Sequence, residues 1–191
     1  MLGLLAPFRR KPLERPGFAL YTAAVAGARD PWFFGALGVP DSLDGRFDLV
    51  ALHVALLIRR LRRDPDPRGA ALAQAVFDAM FADMDVNLRE MGVGDISVGK
   101  RVKRMWEALH GRALAYEAAL DAGDMAALAA ALRRNVWRAE PDSETGPGTE
   151  ALRLAAHAAR VDEALAGQGL AALLRGEVRF PAPEEAAADA G

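Results

Sequence analysis

His53, His110 and His157 are the only histidines in the chain, and no other side chain titrates so readily near neutral pH. Proton transfer or metal ligation would fall to them first. They lie on three separate helical stretches, with no H-x3-H or H-E-x2-H spacing to put two on one helix face. His53 sits inside an apolar helix and reads as a core histidine bonded to one polar group. Four acids, Asp78, Asp83, Asp85 and Glu90, are close enough in sequence to suggest paired carboxylates or a metal. Carboxylate sites in helical bundles pair a glutamate with a histidine three residues on, both pointing inward. No histidine accompanies these acids, and they fall off the apolar stripe, so they read as a solvated or partner-facing surface. Gly94 to Lys100 matches the G-x4-G-K spacing of a phosphate-binding loop, but Arg101 stands where Ser or Thr should hold magnesium. A helix rather than a strand precedes it. It therefore reads as a connection between helices. Ser42, Ser97 and Ser143 are the only serines, and none sits in a nucleophile elbow. No catalytic set, metal or cofactor is expected, and a surface for holding another protein fits better.

The elements that position these residues are helical throughout. Phe77, Met80, Phe81, Met84, Leu88 and Met91 recur at helical spacing on one face, with Asp78, Asp83, Asp85, Asn87, Arg89 and Glu90 around the rest. Gly92 suits a left-handed position past the helix end. Gly92 and Gly94 set a turn, and Asp95 stands where it would cap the next helix. Val98, Val102, Met105, Leu109, Ala113, Tyr116 and Leu120 form a second stripe. Lys100, Arg101, Lys103 and Arg104 crowd the first turns of that helix, where the macrodipole disfavours cations, so a partner is one reason for them. Upstream, helices are expected over 18–28 and 46–63, the latter apolar nearly all round and therefore central. Trp32 to Val39 reads as a packed aromatic turn, and 40–45 as a loop. Asp66-Pro67 restarts the chain as N-cap and first helical residue. Downstream, Gly123-Asp124 stops one helix and caps another over 125–137. The stretch 140–148 is a loop, Thr149 caps a helix over 150–166, and a short helix follows at 170–174. Val178 to Phe180 is a last extended contact. The expected fold is all-α, a single-domain bundle of about six to seven helices with a central helix hairpin. An irregular arm (1–17) precedes the helical domain (18–180), and a frayed acidic tail (181–191) follows it.

The chain has 191 residues, 52% apolar and 26% charged, a composition that folds and buries a real core. A net charge of −2 gives no signal for DNA. The absence of cysteine excludes disulfides and thiolate chemistry. The longest apolar run, 49–58, is half of what a membrane span needs. Met1 to Pro7 is apolar but followed, not preceded, by Arg9, Arg10 and Lys11, the reverse of a secretory signal. A cytoplasmic protein is expected. The leucines and basic residues of the arm suit an anionic membrane surface as well as they suit an unstructured terminus.

Three blocks carry a family resemblance. They are Leu20-Tyr21 through Asp30-Pro31; Gly38-Val-Pro-Asp41 with Asp44-Gly-Arg-Phe-Asp48 and Leu52-His53; and, most specific, Phe77 to Val102, continuing to His110-Gly-Arg112 and Ala115-Tyr116. In these the chain resembles the ubiquinol–cytochrome c chaperones, bacterial relatives of the mitochondrial assembly factors for the cytochrome bc1 complex (respiratory complex III). The resemblance implies an all-α protein without enzymatic activity that binds newly made cytochrome b or other bc1 subunits beside the inner membrane. Mitochondrial members also use a small partner protein and contact the ribosome, and a ribosome contact is carried here as an expectation. The client contacts expected are Asp83, Asp85, Arg89, Glu90, Asp95, Lys100 and Lys103. The alternative is a haem- or small-ligand-binding helical protein, with His53 or His110 as the ligand.

Overall fold

The computed structural model describes residues 12–90, 92, 94–138 and 148–183, with the side chains of Asp95 and Ile96 excepted. The expectations for residues 1–11, Met91, the 140–147 loop and most of the acidic tail lie outside the described residues. Within them the chain is all-α. Its helices are α1 (Glu14–Gly27), α2 (Pro31–Gly35), α3 (Leu43–Arg62), α4 (Pro67–Glu90), α5 (Asp95–Ala122), α6 (Met125–Val136), α7 (Thr149–Ala166) and α8 (Leu170–Leu173).

α3 is the central element. Leu49, Leu52, Val54, Leu56, Leu57 and Leu61 are all buried, on every side of the helix, as its all-round apolar character requires. α1, α4, α5, α6 and α7 pack around it. The longest run of side contact is between α1 and α4. Along α4, Leu72, Val76, Met80, Met84 and Leu88 recur every four residues and all are buried, so its methionines are core. Phe77 and Phe81 pack on each other at 4.5 Å and lie half-buried against that core.

Several boundaries differ from expectation, each for a local reason. α1 begins at Glu14 rather than at Phe18, because a proline in the first turn, here Pro16, removes only an N–H that has no helical acceptor anyway. The aromatic turn after Asp30 is a short helix, α2; the Asp30 carboxylate accepts the Trp32 N–H at 2.9 Å, and Pro31 takes the first position. α3 starts at Leu43 rather than Arg46. Ser42 Oγ accepts the Gly45 N–H at 3.2 Å, which pulls Asp44 and Gly45 into the first turn. Gly45 is needed there, since a Cβ would press on the Pro40 carbonyl oxygen inside van der Waals contact. Asp95 and Thr149 are the first residues of their helices, not the caps. The cap positions are Gly94, which is extended, and Gly148, which has φ +77°.

Two buried charges hold the bundle together. Arg59, 7% exposed on α3, meets Asp121 of α5 at 2.7 Å and Asp162 of α7 at 2.9 Å. Asp48, 2% exposed near the start of α3, receives Arg112 of α5 and, at 3.0 Å, Arg138 beyond α6. Burial pushes the Asp48 carboxyl up to about 6, against the pull of both guanidinium groups. Removing one partner of such a pair leaves an uncompensated charge in the core, at a cost of roughly 3–5 kcal/mol.

Candidate protein-binding surface

The expected hairpin exists as α4 and α5, helices of 24 and 28 residues that make an arm about 35–40 Å long. Gly92 has φ +76°, the left-handed conformation that lets the chain leave α4 without Cβ strain. Leu88 on one side and Val98 on the other are buried, so apolar contact anchors the hairpin up to its turn. The rest of the circumference carries charge.

The structure divides the expected contact residues into unlike groups. Asp83 is not a free surface acid. Its carboxylate accepts the Tyr21 hydroxyl at 2.7 Å, tying α4 to α1, and burial together with this partner raises the phenol pKa. Asp85 and Arg89 pair one turn apart at 2.7 Å on the outer side of α4, and Glu90 is exposed beside them. An exposed pair of this kind stabilises a helix by only about 0.3–0.5 kcal/mol, so it yields to a partner at little cost. Lys103 reaches Glu107 at 3.8 Å and is otherwise exposed, as is Lys100. Lys100, Ser97, Arg101, Arg104 and Gly94 line an open concavity of about 400 Å³ at the start of α5. Asp95 opens that helix, and Gly94 stands extended before it.

The three histidines have unlike surroundings. Although far apart in sequence, His53 and His157 meet in the core with ring centroids 5.9 Å apart. Around them Phe33 lies edge-on to both, Trp32 packs on His157, and Phe180 covers His53 at 5.5 Å. His53 Nδ1 shares a hydrogen bond with the Leu49 carbonyl at 2.8 Å, the single polar partner expected of a core histidine. His157, 1% exposed, has no hydrogen-bond partner at either ring nitrogen among the described residues. Burial lowers both imidazoles to about 4, and for His157 the neighbouring His53 and Arg160 add to the effect. Both are therefore neutral near pH 7. Flat aromatic neighbours fill the space beside His53, which leaves no room for a macrocycle to approach its ring. His110 is exposed and stacks on Trp106, the planes 3° apart. Among the described residues no three or more metal-ligating side chains cluster.

Sequence reasoning missed Asp48, Arg59, Arg112 and Gln168. For Asp48 a signal existed: a carboxylate inside an otherwise buried apolar run must find a cation. Gln168 has no such signal. Its amide donates to the Arg179 carbonyl and accepts the Arg179 N–H, both at 2.8 Å, and so pins the extended segment that lays Phe180 over His53.

The fold is thus a helical bundle with a charged α4–α5 hairpin and with His53 and His157 sealed in its core. The family model for ubiquinol-cytochrome C chaperones matches residues 35–180, and the chain belongs to that family of bc1 assembly factors. The ubiquinol-cytochrome-c reductase complex assembly factor 1 of Xenopus laevis is 24% identical over 143 residues, covering 74% of this chain and 70% of that protein. The crystal structure of the Cbp3 homolog from Brucella abortus superimposes with a TM-score of 0.76 at 37% identity, covering 89% of this chain and 91% of that one. No helix among the described residues is long and apolar enough to cross a membrane.

Proposed function

We propose that this chain is an assembly chaperone of the cytochrome bc1 complex that binds newly made cytochrome b and holds it through the charged α4–α5 hairpin, catalysing no reaction. The observation that carries the reading is the hairpin itself, whose core face is buried to the turn while its outer face presents charge. Family membership supplies the client's complex. Segments of a membrane protein left on the side of synthesis are enriched in Lys and Arg. Asp85 and Glu90 offer carboxylates to such a segment, and Arg89 can release Asp85 toward it. Asp83 drops from the contact set, since it is engaged with Tyr21.

The test exchanges the charges of the outer pair, Asp85→Arg with Arg89→Asp. The swapped pair can still form, so helicity and melting temperature stay close to those of the parent. The level of assembled bc1 complex in cells carrying this variant as their only copy falls severalfold. Unchanged bc1 content with a normally folded variant would sink the hairpin as the client surface. The haem-binding alternative gains nothing from the packed surroundings of His53.

A further inference from the structure

The function just proposed rests on the carboxylates of the hairpin; its basic side, with Lys100 and Lys103 expected from the sequence as client contacts, fits another partner better. Within 95–104 four cations stand against the single carboxylate of Asp95, although the chain as a whole is net negative. Lys100, Arg101, Lys103 and Arg104 are all exposed, and only Lys103 pairs with a carboxylate among the described residues, at 3.8 Å. All four lie in the N-terminal half of α5 but beyond its first turn, where the helix dipole no longer acts appreciably on a charge, so their clustering does not serve helix stability. Directly along the same outer side lie Trp106, 44% exposed, His110, and Leu114, 53% exposed, spaced so that they line up with Lys103.

Exposed tryptophan and leucine beside a row of cations is the arrangement by which a helix rests in the headgroup layer of a membrane. Three kinds of partner compete for such a patch. A loop of a membrane client carries surplus positive charge and is repelled. Single-stranded RNA would need an open aromatic face for its bases, and one face of Trp106 is already covered by His110 in parallel stacking. An anionic bilayer needs neither: its phosphates meet the cations, and the indole and Leu114 enter the interface. The open concavity bordered by Lys100, Arg101 and Arg104 offers a place for a phosphodiester group. From this charge complementarity and the exposed Trp106 we infer that the first half of α5 is a peripheral docking surface for anionic phospholipid, set beside the acidic face of α4. The bilayer would then hold the hairpin beside a client that is itself being inserted there.

The test uses the full chain and sedimentable vesicles of phosphatidylcholine, alone or mixed with an equal part of phosphatidylglycerol. Binding is expected only to the anionic vesicles, falling away as salt shortens the Debye length. Each basic residue near the surface contributes about fivefold in partitioning, so exchanging all four for glutamine lowers it on the order of several hundredfold. Trp32 is buried and Trp137 is half-buried with its indole N–H on the Leu37 carbonyl, so a blue shift of tryptophan emission on binding reports mainly on Trp106 and is lost in Trp106→Phe. Glutamine preserves helix propensity, and circular dichroism of the variant confirms folding before it is used. The inference is overturned by equal binding to neutral vesicles or by no binding to anionic ones. It is also overturned by undiminished binding of the quadruple variant, which would give the membrane contact to the basic arm at 1–11 instead. Binding to ribosomal RNA in place of vesicles would overturn it too. The assay contains no cytochrome b, so its failure leaves the client reading standing, and the reverse holds.

Discussion

Replacing His157 with phenylalanine isolates the energetic consequence of burying two histidines side by side. In the folded chain both imidazoles are pushed from the usual 6.5 to about 4, chiefly by burial. The unfolded chain takes up protons near 6.5 and the folded chain does not until near 4. The stability they contribute is therefore complete above pH 6.5 and is lost progressively as pH falls toward 4. Between about pH 7.5 and about pH 5 that loss is ~2 kcal/mol for each histidine. Asp48 has the opposite sign: its folded pKa is raised to about 6, so the folded chain takes a proton first as pH falls. That recovers roughly 1 kcal/mol over the same interval. The parent should lose about 3 kcal/mol net, and His157→Phe only about 1. All other titrating groups are common to the two proteins and cancel. At neutral pH the substitution should change little. It removes two ring nitrogens that have no partner, worth about 1–3 kcal/mol in relieved desolvation, and it crowds the core by one ring atom at a cost of about 1 kcal/mol or more. The assay is urea unfolding followed by far-ultraviolet circular dichroism at both pH values. An identical pH dependence in the parent and in His157→Phe would refute the argument that the sealed pair controls acid stability.

Three further outcomes follow from the same packing. Gly45→Ala must displace the Pro40 carbonyl or unwind the first turn of α3 and should cost roughly 3 kcal/mol or more, whereas Gly111→Ala, in open space on exposed α5, should gain about 0.5–1 kcal/mol of helix stability; paired melting curves decide both. Asp83→Asn weakens the bond from Tyr21 and should cost about 1–2 kcal/mol without altering bc1 assembly beyond that loss of stability, which separates a tether between helices from a client contact. Gln168→Ala removes both hydrogen bonds to Arg179 and should speed amide exchange and proteolysis in residues 177–183 well before the bundle unfolds, with protection in α3 preserved.

Helices, their stripes and their turn signals can be read from the residues alone, because these are local properties of spacing and backbone preference. The α4 stripe from Phe77 to Leu88, the left-handed Gly92, the helix stop at Gly123 and the Asp124 cap were all legible in this way. Family membership was legible too, in the long motif from Phe77 to Val102. Where helix starts were misplaced, at Glu14, Leu43, Asp95 and Thr149, competing caps within a few residues differ by about 1 kcal/mol or less, too little for pattern alone to choose. Tertiary structure alone decided which distant side chains meet. It turned Asp83 from a surface acid into the acceptor for Tyr21 and closed Arg59 onto Asp121 and Asp162. It also brought His53 and His157, on α3 and α7, into one aromatic chamber under Phe180. Those contacts span tens to more than a hundred residues, and their energies depend on burial, which no local spacing encodes.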